Sequence, residues 1–419
     1  MPADGPYGDM LGCMSTWPGP WPSEDGGAAR RQRAPGPVPR GPLGVTSRNA
    51  PGASMVVVRD PGLVFLHGST FGDGSTAWVE RLDPDTLAPL ARVEGLPGGP
   101  WWPGGIAAHA DGSLLVVHGR HAHRLSVDLE VLASRELPQD RPYNSFVLLP
   151  DGHLVTKDLV RDGATPSRLL VLDPRDLAPA TAEVEAPEPS IARLSADGDR
   201  VYLVGDHTIV RYRWDGRALA LDDDWSFRYR TADDQSYGWD PVVAGGHVWF
   251  MDNGEHRYAG TMRGAGVAGG PVHLVRVAED DPADHELVEV SGLPAGAVTN
   301  PPLYVPEAGI AVAYDSANAV LAGFAFDGRL TPLWRRSLAT AGHLVHFPSG
   351  DQVMAYDHAD GGEDVVLVDL RTGDERARAS TGSPMQSVVF PAAGGDGSVY
   401  YCSFSTVAHV TSAHPPGAG

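Results

Sequence analysis

Five aspartates recur at matching places along the chain: Asp158 in VTKD, Asp206 in LVGD, Asp252 in WFMD, Asp315 in VAYD and Asp357 in MAYD. Each closes an apolar run. Carboxylates gathered about one axis repel, and they coexist only with a shared proton, a cation or a basic partner. The plainer reading is that each accepts hydrogen bonds from its own turn. Repetition favours that reading, because caps repeat and catalytic groups rarely do. Asp252 has the strongest case for chemistry, since WFMDNGEH places His256 four residues on. Asp252 or His256 would act as general acid or base, with Lys157 and the adjoining Asp158 as electrostatic and proton-transfer candidates.

Other residues suit binding. Trp101, Trp102, Tyr143, Tyr237, Trp239, Tyr258, Tyr314 and Tyr356 all stand in or beside loops, together with Asn253, Arg263 and His118. An aromatic wall of this kind holds an apolar substrate or steadies a developing cation. Packing inside the fold is the competing use of the same rings. His118, His121 and His123 cluster in VVHGRHAHR, but sixteen histidines in 419 residues place several on any face. No G-x-S-x-G elbow occurs, which argues against a nucleophilic serine.

The elements that must position these groups form a repeat. An apolar strand, a turn such as DPG, ADG or PDG, a second strand, a variable loop, a third strand, a turn such as PDTLAP and a more polar fourth strand recur. Units begin near Ser54, Gly104, Asn144, Ile191, Trp239, Asn300, Gly342 and Met385. Four short strands every ~40–50 residues is the period of a β-propeller blade. The expected fold is all-β, a single propeller over residues 54–412 with eight four-stranded blades, or seven. The last unit supplies only three clear strands, and residues 43–49 (LGVTSRN) offer the fourth. Gly 51 and Pro 37 together make up about a fifth of the chain, which suits many turns and excludes long helices. Residues 1–53, dense in both, are expected to be a disordered arm, or in part an artefact of a start at Met14 or Met55. Residues 413–419 are expected to be a disordered tail.

Sorting the loops by face is informative. The DG turns carry plain turn chemistry, whereas every candidate residue above falls on the opposite face. Residues 253–269 form the longest loop there, rich in glycine and carrying His256, Arg257, Tyr258 and Arg263. This length suits a lid over a central funnel.

Two resemblances follow from these strings. VVLVDLRTGDERAR and LDPDTLAPLARVE resemble the repeats of the quinoprotein-like propeller superfamily, which implies its fold. The cofactor-clamping vicinal disulfide of that superfamily is missing, Cys13 and Cys402 being the only cysteines, and so are its tryptophan-docking motifs. No quinone is therefore expected. PYNSF, GWDPV and TNPPL resemble the regucalcin and gluconolactonase propellers. That likeness implies a divalent cation, calcium foremost, held by Asn144, Asp240 and Asn300. Those enzymes have six blades and also use a glutamate with no counterpart here.

Lys+Arg 32 against Asp+Glu 53 leaves a net charge of −21, which disfavours nucleic acid and anionic membranes as partners. No apolar run reaches the length of a membrane span. Arg30 and Arg31 precede no apolar segment, so a secretory signal is not read, and a cytoplasmic location is expected. The expected function is a small-molecule enzyme with its site in the funnel, a metal-assisted hydrolase of lactone or ester type. Two alternatives stand beside it: a metal-free acid-catalysed isomerase or cyclase for an apolar substrate, and a propeller that only binds. Oligomeric state is left open.

Overall fold

The computed structural model describes residues 15–413, apart from the side chains of Asn144 and Ser145. Its regular structure is almost wholly strand, arranged as eight four-stranded antiparallel sheets that make eight propeller blades. Seven blades are continuous in sequence, over residues 53–99, 105–136, 143–185, 195–228, 242–289, 303–337 and 345–383. The eighth combines Ala392–Ala393, Val399–Cys402 and Thr406–Ser412 with Leu43–Asn49 from the other end of the chain. Val45 faces Val410 in that pairing, and seven residue pairs close the ring. No helix among the described residues is long and apolar enough to cross a membrane.

The burial pattern explains the architecture. Second strands such as Leu114–His118 and Leu154–Asp158 are buried at every position, because both faces of a blade pack on neighbours. Fourth strands such as Val131–Glu136 alternate between exposed and half-buried. Turns after the third strand reuse one device. Leu87 and Leu177 sit at φ +61°, and both side chains are fully buried. Asp83 and Asp173 each accept the leucine amide through their carbonyl at 2.9 Å. A left-handed leucine costs about 1–2 kcal/mol, and burying its side chain returns about as much or more. The recurring D-x-x-x-L spacing of LDPDTLAP and LDPRDLAP is thus a packed corner.

The arm departs from expectation. Residues 15–42 are not disordered; they cross the DG-turn end of the channel and close it. Trp21 pairs with Val58 through both backbone groups, at 3.0 and 2.9 Å, and its indole is fully buried. Further along, Pro22, Ala28, Ala29 and Gln32 accept from the amides of Ala108, Ala196, Val243 and His346 at 2.7–2.9 Å. The order of this segment comes from the free ends of the innermost strands. Its own sequence carries no period, which is why it read as structureless.

Candidate functional site

At the opposite end, residues 253–269 reach across the funnel. Glu255 donates its amide to Val298 O at 2.9 Å, and Gly264 donates to Ala317 O at 3.0 Å. The far anchor is Gln386, at the start of the eighth unit. Its Oε1 accepts from Met262 N at 2.6 Å, its carbonyl accepts from Tyr258 Oη at 2.5 Å, and its Nε2 donates to Ala339 O at 2.7 Å.

Beneath this strap lies a cavity of about 130 Å³. Trp101, Trp102, Trp239, Tyr258, Phe390 and Phe404 form its walls, with Pro103, Val388, Arg193, Glu255, His256, Thr299 and Asn300. The rings touch in series: Trp101 lies 6.3 Å from Trp102 and 5.8 Å from Phe404, and Tyr258 lies 5.8 Å from Phe404. Phe71, 57% exposed, continues the series outward at 5.0 Å from Trp101. An apolar cavity of about 150 Å³ holds one benzene. This space therefore takes one small ring or the end of a larger apolar molecule.

His256 is the titratable group poised there. Its Nδ1 lies 2.6 Å from Tyr237 Oη, which leaves Nε2 as its remaining polar atom. Burial is the largest influence and lowers its pKa; Glu255 opposes this, and the charges of Arg161 and Arg257 add to it. The imidazole is consequently neutral at pH 7. Glu255 is fixed as a carboxylate: burial would raise its pKa, but bonds from Arg257 Nε and Nη2, both at 3.1 Å, outweigh burial. Tyr237 is held as the phenol by burial.

The cavity floor meets a buried ion network built by the arm. Arg30 donates to Glu24 Oε1 at 2.5 Å, to Asp25 Oδ2 at 3.0 Å and to Leu194 O at 3.0 Å, and stands 3.9 Å from Asp240 Oδ2. Arg193 spans the network and the cavity. It bonds Glu24 Oε2 at 3.3 Å and Pro103 O at 2.7 Å, with its guanidinium 4.3 Å over the Phe390 ring. His343 Nδ1 lies 2.8 Å from Asp25 Oδ1. Burial raises Asp25 while His343 and Arg30 pull it below the usual carboxylate range, and the pull wins.

This network corrects the metal assignment. Asp240 Oδ1 accepts the Arg193 amide at 2.7 Å, and the side chain stands between two guanidinium groups that repel a divalent cation. Asn300 donates its Nδ2 to Ala341 O at 2.5 Å and has one neutral side-chain oxygen to offer, far short of what calcium takes. The Asn144 side chain lies outside the described residues. No group of three or more His, Cys, Asp and Glu side chains poised for a metal occurs among the described residues. These residues do not fit calcium, which takes roughly six to eight oxygen ligands.

Of the residues singled out by sequence, Trp101, Trp102, Trp239, His256, Tyr258 and Asn300 meet at the cavity. The others do not line it. Asp252 is a cap, accepting from His273 N at 2.6 Å, His273 Nδ1 at 2.8 Å and Gln235 Nε2 at 2.9 Å. Asp158 accepts Arg168 N at 2.6 Å and pairs with Arg141 at 2.6 Å. Lys157 is buried and donates to the carbonyls of Asp158 and Ser190; burial lowers it to about 7. Asn253 ties Ser236 N to the carbonyls of Gly270 and Pro271. Tyr143, Tyr314 and Tyr356 are fully buried between blades. Tyr237 supports His256 from behind. His118 bonds Ser75 Oγ at 2.8 Å, and Arg263 stands exposed on the strap. Asp315 and Asp357 also cap amides, those of Ala297 and Ala339. Asp206 receives none among the described residues; burial and Glu188 raise it to about 6.

Sequence reasoning missed Arg193, Glu255, Val388, Phe390, Phe404, Thr299 and Pro103. Glu255 and Thr299 adjoin His256 and Asn300 and could have been read with them. Phe390 and Phe404 carried no signal, since ring closure alone brings them to the cavity.

Comparisons with known proteins address the fold. No family model matches this chain, and no curated protein matches it. Among solved structures, a quinohemoprotein alcohol dehydrogenase from Comamonas testosteroni superposes with a TM-score of 0.67 at 12% identity, over 98% of this chain and 84% of that one. One from Pseudomonas putida HK5 gives 0.65 at 10% identity, over 98% and 82%. BamB from Moraxella catarrhalis gives 0.54 at 14% identity, over 87% and 100%. At such identities the likeness is one of fold alone, that of a β-propeller.

Proposed function

We propose that this PQQ-like β-propeller binds a small apolar molecule in the strapped aromatic cavity and performs a metal-free proton transfer on it, with His256 as the base. The observation that carries the reading is the placement of one neutral imidazole in a cavity to whose wall six aromatic side chains contribute. A base with a pKa below the ordinary histidine range is unprotonated at pH 7 without needing a partner to strip it. Tyr237 orients the ring through Nδ1, and the Trp and Phe walls exclude water and favour a delocalised intermediate. This keeps the metal-free alternative of the sequence reading, with the acid–base role moved from Asp252 to His256. The metal-assisted hydrolase, the first expectation from the sequence, is not carried forward, because its cation has no fitting ligand set among the described residues.

Two measurements test it. Phenylacetone should quench the fluorescence of the cavity tryptophans, and Trp239→Ala should weaken that quenching at least tenfold. Incubation in D2O should then exchange the protons next to its carbonyl, read by mass spectrometry. The exchange should disappear in His256→Ala with binding retained. Binding without exchange in the parent protein would refute the proton transfer and leave a propeller that only binds.

A further inference from the structure

Resting on that reading, the balance of hydrogen-bonding groups at the cavity specifies its ligand more closely. Within the cavity wall, most polar groups are already spent. Glu255 Oε1 accepts from the amides of His256 and Arg257, and both its oxygens receive the Arg257 side chain. Thr299 Oγ1 donates to Ala341 O, and Tyr258 Oη donates to Gln386 O. Trp101 Nε1 donates to Ser69 Oγ.

The groups left over are mainly donors. The indole N–H of Trp102 and that of Trp239 find no acceptor among the described residues, although both rings line the cavity. Arg161 lies with Cζ 5.3 Å over the Trp102 ring. It is exposed and, among the described residues, has no carboxylate or carbonyl partner. This cation–π contact keeps the guanidinium beside the cavity wall, and its N–H groups remain free for an oxygen acceptor, which arginine can meet with two parallel bonds and lysine cannot. Its charge is also felt at His256, which places it by the reacting end of the site. Against these donors stand two acceptors: His256 Nε2, the base of the proposed reaction, and Asn300 Oδ1, which among the described residues has no partner.

We propose that the ligand is an apolar or aromatic molecule bearing an anionic oxygen group, a carboxylate or a phosphate, whose body fills the cavity and whose charge is met by Arg161 at the rim. A cationic ligand would face Arg161 and Arg193 with the nearest carboxylate already neutralised by Arg257. A wholly neutral one would leave the Arg161 guanidinium unused.

The test uses the full-length protein and four small probes of matched body: phenylacetate, phenyl phosphate, 2-phenylethanol and 2-phenylethylamine, titrated by tryptophan fluorescence at low salt. One or both anions should bind about tenfold more tightly than the alcohol, and the amine more weakly. Added salt should erode the preference, because the rim is exposed. Arg161→Gln should abolish it while leaving the affinity for 2-phenylethanol unchanged. Which anion binds better separates a carboxylate from a phosphate ligand. Equal affinity for anion and alcohol, tighter binding of the amine, or a preference that survives Arg161→Gln would overturn the proposal and leave the cavity reading intact. If none of the four binds, the cavity reading itself fails, and the proposal falls with it.

Discussion

Arg30 is the residue whose loss should report most clearly on the plugged channel. Its guanidinium meets Glu24 and Asp25 directly and Asp240 at 3.9 Å, all four side chains being almost wholly buried. Arg30→Met leaves three carboxylates facing only Arg193 and His343. Removing one partner from a buried network of this kind costs about 3–5 kcal/mol, most of it the penalty of the uncompensated charge. With an unfolding entropy of about 2.1 cal/mol/K per residue over roughly 400 residues, that loss lowers Tm by about 4–6 °C. Calorimetry at pH 7 measures it. Limited trypsin digestion gives a second readout, because an arm released from the channel exposes Arg31 and Arg33 to cleavage. The effect should shrink at pH 5, where the stranded carboxylates take up protons. Replacing Asp240 by Asn in the same variant should restore part of the loss, since the sites share one network. An unchanged Tm with an arm cut no faster than in the parent would refute the view that the ion network holds the plug.

Other outcomes follow from the buried ionisable groups and the strap. His118, His123 and His346 are each lowered to about 4, chiefly by burial. Below pH 6.5 the unfolded chain protonates them and the folded chain does not, so stability falls with pH, by at most about 3 kcal/mol for each by pH 4. His118→Gln should flatten the decline of Tm between pH 7 and 5, and an equal decline would count against it. Glu363, raised to about 8 by burial, works in the opposite sense. The folded state keeps its proton above the unfolded pKa, so stability falls as pH rises from about 5 to 8. Glu363→Gln should remove that slope in a Tm series. Gln386→Ala deletes the side-chain bonds to Met262, Thr261 and Ala339. It should speed hydrogen exchange over residues 258–264 with little change in the blades, and protection equal to that of the parent would show that the strap is held elsewhere.

The ring was legible because its information is local. Turn chemistry at a fixed period, alternating fourth strands and the LDPxxLAP corner are each written within a few residues. The recurring aspartates were rightly suspected of capping, as Asp158, Asp252, Asp315 and Asp357 do. What escaped was whatever depends on closure. Arg30 stands beside Arg31 in a run without apolar character, and only the folded channel turns it into a buried cation. Phe390 and Phe404 belong to a unit whose first strand is two residues long, and they enter the cavity because the eighth blade is completed from the far end of the chain. Asp240 shows the reverse error. Its position at the head of an innermost strand was read correctly, but the arginines whose charge surrounds it come from another blade and from the arm.

That arm changes the mechanical character of the ring. Eight blades in a circle form a one-dimensional array, in which each unit feels only its two neighbours and a weak seam can part without consulting the rest. Residues 15–42 touch the innermost strands of the first, second, fourth, fifth and seventh blades in succession, and Gln32 Nε2 also donates to Pro302 O beside the sixth. They act as a hub to which the spokes are tied. Parting any one seam then strains bonds to blades that are not adjacent to it, so opening becomes a shared event. A cavity assembled from several blades keeps its dimensions only if those blades cannot drift independently, and the hub at the far end of the axis provides that restraint without contributing a single aromatic ring to the wall.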